Sequence, residues 1–132
     1  YGPRQRGEFV VPIFIKNALD NKPLLLYGKD EMFRDFTYVS DVVDATEKAL
    51  RVKCNGCVVN IASGIPTSIA ELAHRVIELC NSKSRVITGK RRDGEIISRW
   101  ASVLRASELL HFRAKTSLDT GLKKTIEWYR RE

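Results

Sequence analysis

Apolar positions along the chain switch between helical and extended spacing several times. The most regular run is SIAELAHRVIELCN, where Ile69, Leu72, Ala73, Val76, Ile77 and Cys80 fall at i, i+3, i+4, i+7, i+8 and i+11. That spacing draws one stripe down a helix. Ser68 and Glu71 stand as an S-x-x-E capping pair at its start. A second stripe, Leu118, Gly121, Leu122, Thr125, Ile126 and Tyr129, predicts a last helix capped by Ser117. Pro12 suits a first helical turn and opens a helix that ends at Asp20-Asn21-Lys22-Pro23. Ser102 predicts a cap for a short helix over 103–110. Extended segments lie between: LLLYG at 24–28, then Phe36-Thr37-Tyr38-Val39 running into a helix capped by Ser40 and Asp41. After an Asn55-Gly56 turn, CVVNIASG reads as a continuous apolar strand of the kind buried on both faces of a parallel sheet. Apolar pairs Val86-Ile87 and Ile96-Ile97 flank a charged, glycine-broken loop.

Helices and strands that alternate in this way predict an α/β class with few strands and packed helices. A strand buried on both faces needs neighbours, and only about three good strands are visible. With an opening YGPRQRGEF that lacks an initiator Met, this predicts a fragment of a longer protein. The chain has 132 residues, 43% of them hydrophobic and 30% charged, so it folds as one unit and is not a disordered segment. No apolar run approaches the ~18 residues of a membrane span.

The net charge of +7 is uneven. Residues 1–82 carry ten Lys/Arg and ten Asp/Glu, whereas residues 83–132 carry thirteen and six. A basic second part suits an anionic partner: nucleic acid, acidic lipid or a phosphorylated small molecule. Three cysteines with no secretory pattern predict reduced thiols and a cytoplasmic setting. Cys54-Asn55-Gly56-Cys57 has C-x-x-C spacing, but no second pair accompanies it and His74 and His111 stand alone, so no metal site is predicted.

No phosphate-binding glycine motif and no nucleophile elbow is present. What remains is arginine beside turns: Arg4, Arg34, Arg91 and Arg92. A guanidinium fork matches phosphate oxygens two at a time. Glu95, three residues after Arg92, suits sugar or ribose hydroxyls better than phosphate.

Six segments occur in register: Tyr1-Gly2-Pro3-Arg4-Gln5; Arg34-Asp35-Phe36-Thr37-Tyr38-Val39-Ser40-Asp41-Val42; Asn60-Ile61-Ala62-Ser63-Gly64; Ser68-Ile69-Ala70-Glu71-Leu72; Arg92-Asp93-Gly94-Glu95; and the tail KTSLDTGLKKTIEWYR. Together they resemble the C-terminal half of an extended short-chain dehydrogenase/reductase acting on nucleotide-diphosphate sugars, such as a UDP-glucose 4-epimerase or a 4,6-dehydratase. Two departures are visible. The family's Arg-Pro-Gly-Asp reads Arg92-Asp93-Gly94-Glu95, and its Gly-Trp-x-Pro reads His111-Phe112-Arg113-Ala114.

The resemblance implies that residues 1–132 are a substrate-binding region, with an N-terminal Rossmann domain for NAD and a catalytic Tyr-x-x-x-Lys outside this chain. It implies that Arg34 and Arg92 grip a diphosphate and that Asp35 orients Arg34. Glu95 would meet ribose or the phosphate side, Asn60 would line the nucleotide pocket, and Tyr27 would pack on the base. The chain alone is then expected to bind no NAD, to catalyse nothing, and to self-associate through apolar surface that lacks its partner. The rival reading is a non-catalytic basic module that binds nucleic acid through residues 83–132, but Trp100 is the one aromatic near the basic loop, which leaves stacking platforms scarce.

Overall fold

The computed structural model describes residues 1–28, 32–53, 56–90 and 97–132. In chain order the elements are α1 (Val10–Leu19), β1 (Leu24–Tyr27), β2 (Phe33–Asp35), α2 (Val39–Arg51), β3 (Pro66–Ser68), α3 (Ile69–Cys80), β4 (Val86–Gly89), β5 (Ser98–Arg99), α4 (Leu104–Leu110) and α5 (Leu118–Tyr129). The α/β class expected from the pattern is what forms.

The stripe on α3 makes the centre. Leu72, Ala73 and Val76 are fully buried against Phe14, Ile15 and Ala18 of α1, Leu122 and Ile126 of α5, and Leu24 and Leu26 of β1. Ser68 caps α3 by accepting the Glu71 amide at 2.9 Å. The Glu71 carboxylate does not return to close the box; it accepts from Arg75, whose other arm reaches Asp119 of α5 at 2.6 Å. Ser117 caps α5 as expected, accepting the Thr120 amide. A smaller cluster, Ala45, Ala106, Leu110 and Phe112, joins α2 to α4.

Two small sheets lie beside these helices. β1 pairs with β4 in parallel, Leu24 with Val86 through Tyr27 with Gly89. β2 is the centre strand of the other, antiparallel to β3 and parallel to β5.

Ser102 does not cap α4, which follows Val103 without a side-chain cap, and three further boundaries differ from the sequence pattern for tertiary reasons. First, β2 occupies 33–35, not 36–39. Ile69 donates to the Met32 carbonyl at 2.9 Å, so alternate rungs of the ladder fall at Arg34–Thr67 and Phe36–Ile65. The Ile65 amide instead donates to Ser63 Oγ at 3.1 Å, and the ladder stops. Second, α2 begins at Val39, after Tyr38, without a side-chain cap. Asp41 is buried in its first turn and accepts the amides of Lys115 and Thr116, both at 3.2 Å. Third, residues 57–65 form no strand, and Val58 is 76% exposed. An apolar run becomes a buried strand only where neighbouring strands complete its ladder, and the described residues supply none there.

Cys57 is disulfide-bonded, against the expectation of reduced thiols, whereas Cys80 is free and buried. No helix among the described residues is long and apolar enough to cross a membrane, and no metal-binding cluster of His, Cys, Asp or Glu occurs among them.

Candidate functional site

α1 and the sheet edges leave a cavity of about 430 Å³. Val10, Ile13 and Phe14 of α1, Leu25 of β1, Met32 and Ile69 give it apolar walls. Tyr27 at the end of β1 and Arg34 in the middle of β2 give it an aromatic ring and a cation, with Glu8 and Asn17 as further polar lining. Ile13 and Leu25, each 40% exposed, turn apolar surface into this cavity.

Two sequence-predicted site residues, Tyr27 and Arg34, therefore meet at one cavity although seven positions separate them. The chain turns between them at Gly28, whose φ of +86° suits glycine. Arg34 Nη1 donates to its own strand's Phe33 carbonyl at 2.8 Å and to the Ile97 carbonyl at 3.2 Å. Those bonds hold the guanidinium along the β2–β5 edge.

Asp35 does something other than orient Arg34. Its Oδ1 accepts the Ser63 amide at 2.9 Å and the Ser63 hydroxyl at 2.6 Å, and its Oδ2 accepts the Gly64 amide at 2.9 Å. Consecutive residues on a strand face opposite ways, so Arg34 serves the cavity while Asp35 ties down the 63–64 turn. This also explains the place of Asn60. It is exposed on the 57–65 segment, which Asp35 draws to its own side of β2, and it does not line the cavity. Arg92 and Glu95 lie outside the described residues, as do Arg91, Cys54 and Asn55. The apolar wall from α1 was missed in the sequence, because Ile13 stands inside the apolar run VVPIFI and reads there as core.

The start of the chain braces this region. Tyr1 packs edge-on to Tyr38 and Phe36, with ring centroids 5.5 and 6.3 Å away, and donates its hydroxyl to the Leu118 carbonyl at 3.1 Å. Burial, with the Tyr38, Asp41 and Asp119 charges behind it, pushes the Tyr1 phenol well above the usual tyrosine range.

The model of the NAD dependent epimerase/dehydratase family matches residues 1–62, the stretch that contains α1, Tyr27, Arg34 and α2. The chain belongs to that family. It is 38% identical to a UDP-N-acetyl-alpha-D-glucosaminuronate decarboxylase of Bacillus cytotoxicus, over 98% of this chain and 43% of the relative. It is 32% identical to the dTDP-D-glucose 4,6-dehydratase of Homo sapiens, over 98% of this chain and 39% of that protein. Among solved structures, the UDP-glucose 4-epimerase of Thermotoga maritima, crystallised with UDP-glucose, superposes with a TM-score of 0.93 at 32% identity, covering 99% of this chain and 43% of that one. The chain thus spans about two fifths of the length of the relatives it matches. The family acts with NAD, and the described residues do not fit that cofactor. A dinucleotide pyrophosphate needs a glycine-rich turn between a strand and a helix. Here the residues that precede the five helices are Phe9, Tyr38, Ser68, Val103 and Ser117, none of them in such a turn.

Proposed function

We propose that this chain is the nucleotide-diphosphate-sugar-binding part of an NAD-dependent nucleotide-sugar 4-epimerase or 4,6-dehydratase. The observation that carries the reading is the meeting of Tyr27 and Arg34 on one apolar-walled cavity. A pyrimidine base needs a flat apolar surface and a ring to stack against, and a diphosphate needs a fork of N–H donors a few ångströms further on. Tyr27 with Ile13 and Phe14 serves the first, and Arg34 serves the second. Arg92 and Glu95 join them in this reading, as second phosphate arm and ribose acceptor.

The chain contributes recognition and leaves the redox step to the part of the enzyme that holds NAD. It contains no Tyr-x-x-x-Lys pair, so by itself it binds substrate and transforms nothing. Its apolar surface at Val43, Leu50, Val58 and Leu104, exposed by 61, 85, 76 and 69%, is then the face that the cofactor-binding part covers. Without that cover, it self-associates.

Thermal unfolding tests this directly. A ligand that binds only the folded state stabilises it by about 2.7 kcal/mol at a hundredfold excess over its dissociation constant. Uridine diphosphate is expected to raise the melting temperature with concentration, and NAD is expected to leave it unmoved. A shift with NAD and none with uridine diphosphate refutes the assignment.

A further inference from the structure

Val10, Ile13, Phe14 and Asn17 of α1 line the cavity. They fall at i, i+3, i+4 and i+7, one face of the helix, so Asn17 stands about 10 Å along the axis from Val10. Asn17 Nδ2 donates to the Pro23 carbonyl at 3.2 Å, and the Asn17 backbone carbonyl accepts the Lys22 amide at 2.8 Å. These bonds close the turn after α1 and bring the start of β1 alongside Asn17. Side chains then alternate along β1: Leu24 and Leu26 enter the core, whereas Leu25 and Tyr27 line the cavity. The lining thus runs from Asn17 past Leu25 to the Tyr27 ring. A carbonyl oxygen only accepts, so the Pro23 contact fixes the orientation of the Asn17 amide, with Nδ2 at the turn and Oδ1 directed away from it. Among the described residues Oδ1 meets no donor. It is not sealed in the interior either, since among those residues the buried side-chain atom left without a partner is Gln5 Oε1. Asn17 therefore combines an anchored side chain with an open acceptor, at the end of the cavity where the aromatic ring lies.

We infer that Asn17 is a specificity-determining residue for the base: its Oδ1 accepts from the ring N3–H of a uracil or thymine packed on Tyr27. The inference rests on the reading that the cavity takes a nucleoside diphosphate with its base at Tyr27. Uracil and thymine carry a hydrogen on N3. Cytosine carries a lone pair there, so two acceptors would face each other. A site that hydrogen-bonds a ligand N–H rejects an analogue lacking it, because a polar group is left unpaired.

The test is calorimetric titration of uridine diphosphate, 3-methyluridine diphosphate and cytidine diphosphate into the chain and its Asn17→Ala and Arg34→Ala variants. The 3-methyl compound replaces the N3 hydrogen by a methyl group and keeps the rest of the ligand. Wild type is expected to bind uridine diphosphate roughly tenfold more tightly than either of the others. Asn17→Ala is expected to weaken uridine diphosphate by about that factor and to leave the 3-methyl compound within about twofold, which removes the preference. Arg34→Ala is expected to weaken all three alike and to keep the preference. Equal wild-type affinity for uridine diphosphate and its 3-methyl derivative overturns the inference. So does an equal loss of both in Asn17→Ala, which assigns Asn17 to closing the turn alone. If Asn17→Ala fails to fold, Asn17→Ser, whose hydroxyl is too short to reach the base, is read by the same ratio, and a wild-type preference there is equally fatal. If Arg34→Ala binds uridine diphosphate as wild type does, the cavity reading falls and the inference with it. Loss of affinity in Arg34→Ala beside an unchanged ratio in Asn17→Ala sinks the inference alone.

Discussion

Truncating Arg34 to alanine is the most informative perturbation of this molecule. The guanidinium lines the cavity from the middle of β2, with Nη1 2.8 Å from the Phe33 carbonyl and 3.2 Å from the Ile97 carbonyl. A diphosphate seated there draws two charge-assisted bonds, each worth roughly 1.5–3 kcal/mol. Part of that is offset, because the arginine is half-buried and already engaged with carbonyls that must be left or shared. A net loss of about 1.4–2.8 kcal/mol is expected, a ten- to hundredfold rise in dissociation constant. Arg34→Lys is expected to restore only part, since an ammonium is a point charge without the fork. Arg130 is the control: it is exposed at the end of α5, reaches the Cys80 carbonyl at 3.4 Å, and does not line the cavity. Calorimetric titration of uridine diphosphate into wild type, Arg34→Ala, Arg34→Lys and Arg130→Ala reads the comparison, with melting temperatures recorded beside it. Equal affinities for Arg34→Ala and Arg130→Ala would refute the reasoning.

Leu50→Lys combined with Val58→Lys, which charges the most exposed aliphatics, is expected to lower self-association in sedimentation velocity. Unchanged oligomers would place the contact elsewhere. Gly121→Ala is expected to destabilise the fold by roughly 1–3 kcal/mol through overpacking, because its Cβ would overlap the Tyr1 hydroxyl; thermal unfolding measures it. Burial raises the Cys80 thiol pKa, so less thiolate is present at any given pH. Alkylation by iodoacetamide is accordingly expected to be slow in the folded chain and to accelerate on unfolding, and mass spectrometry of the Cys80 peptide reads both rates.

The helices were legible because their determinants are local. Six apolar positions and a capping serine suffice to specify α3, and Ser117 with one stripe suffices for α5. β2 was harder. Nothing in Phe36-Thr37-Tyr38-Val39 tells that the Ile65 amide turns to Ser63 and ends the ladder before them. CVVNIASG reads as a segment that wants neighbours, yet no strand among the described residues pairs with it, so it forms no strand: Val58 stays exposed while Val59 and Ile61 pack on the α2–α4 cluster. Within the site, Arg34 stood out because a charge beside an apolar run is conspicuous. The partition of labour between Arg34 and Asp35 was hidden, since it depends on which face of a three-residue strand meets which distant turn. The cavity wall was hidden too. Ile13 and Leu25 look like ordinary core residues until α1 and β1 are placed side by side.

Asp41 carries a consequence for how the chain reaches this structure. Its bonds to the Lys115 and Thr116 amides join residues 74 and 75 positions apart. Closing a flexible loop of that length costs roughly 4 kcal/mol of chain entropy by the logarithmic rule, which offsets most of the roughly 3–6 kcal/mol that two amide bonds to a carboxylate return. The carboxylate can therefore find its partners only after packing of α3 with α1 and α5 has brought both segments close. Contacts made that late are absent from the transition state. Asp41→Asn is expected to accelerate unfolding and leave the refolding rate almost unchanged in stopped-flow measurements. The same residue that anchors the start of α2 thus acts as a latch, setting how long the folded state lasts and having little say in how quickly it is found.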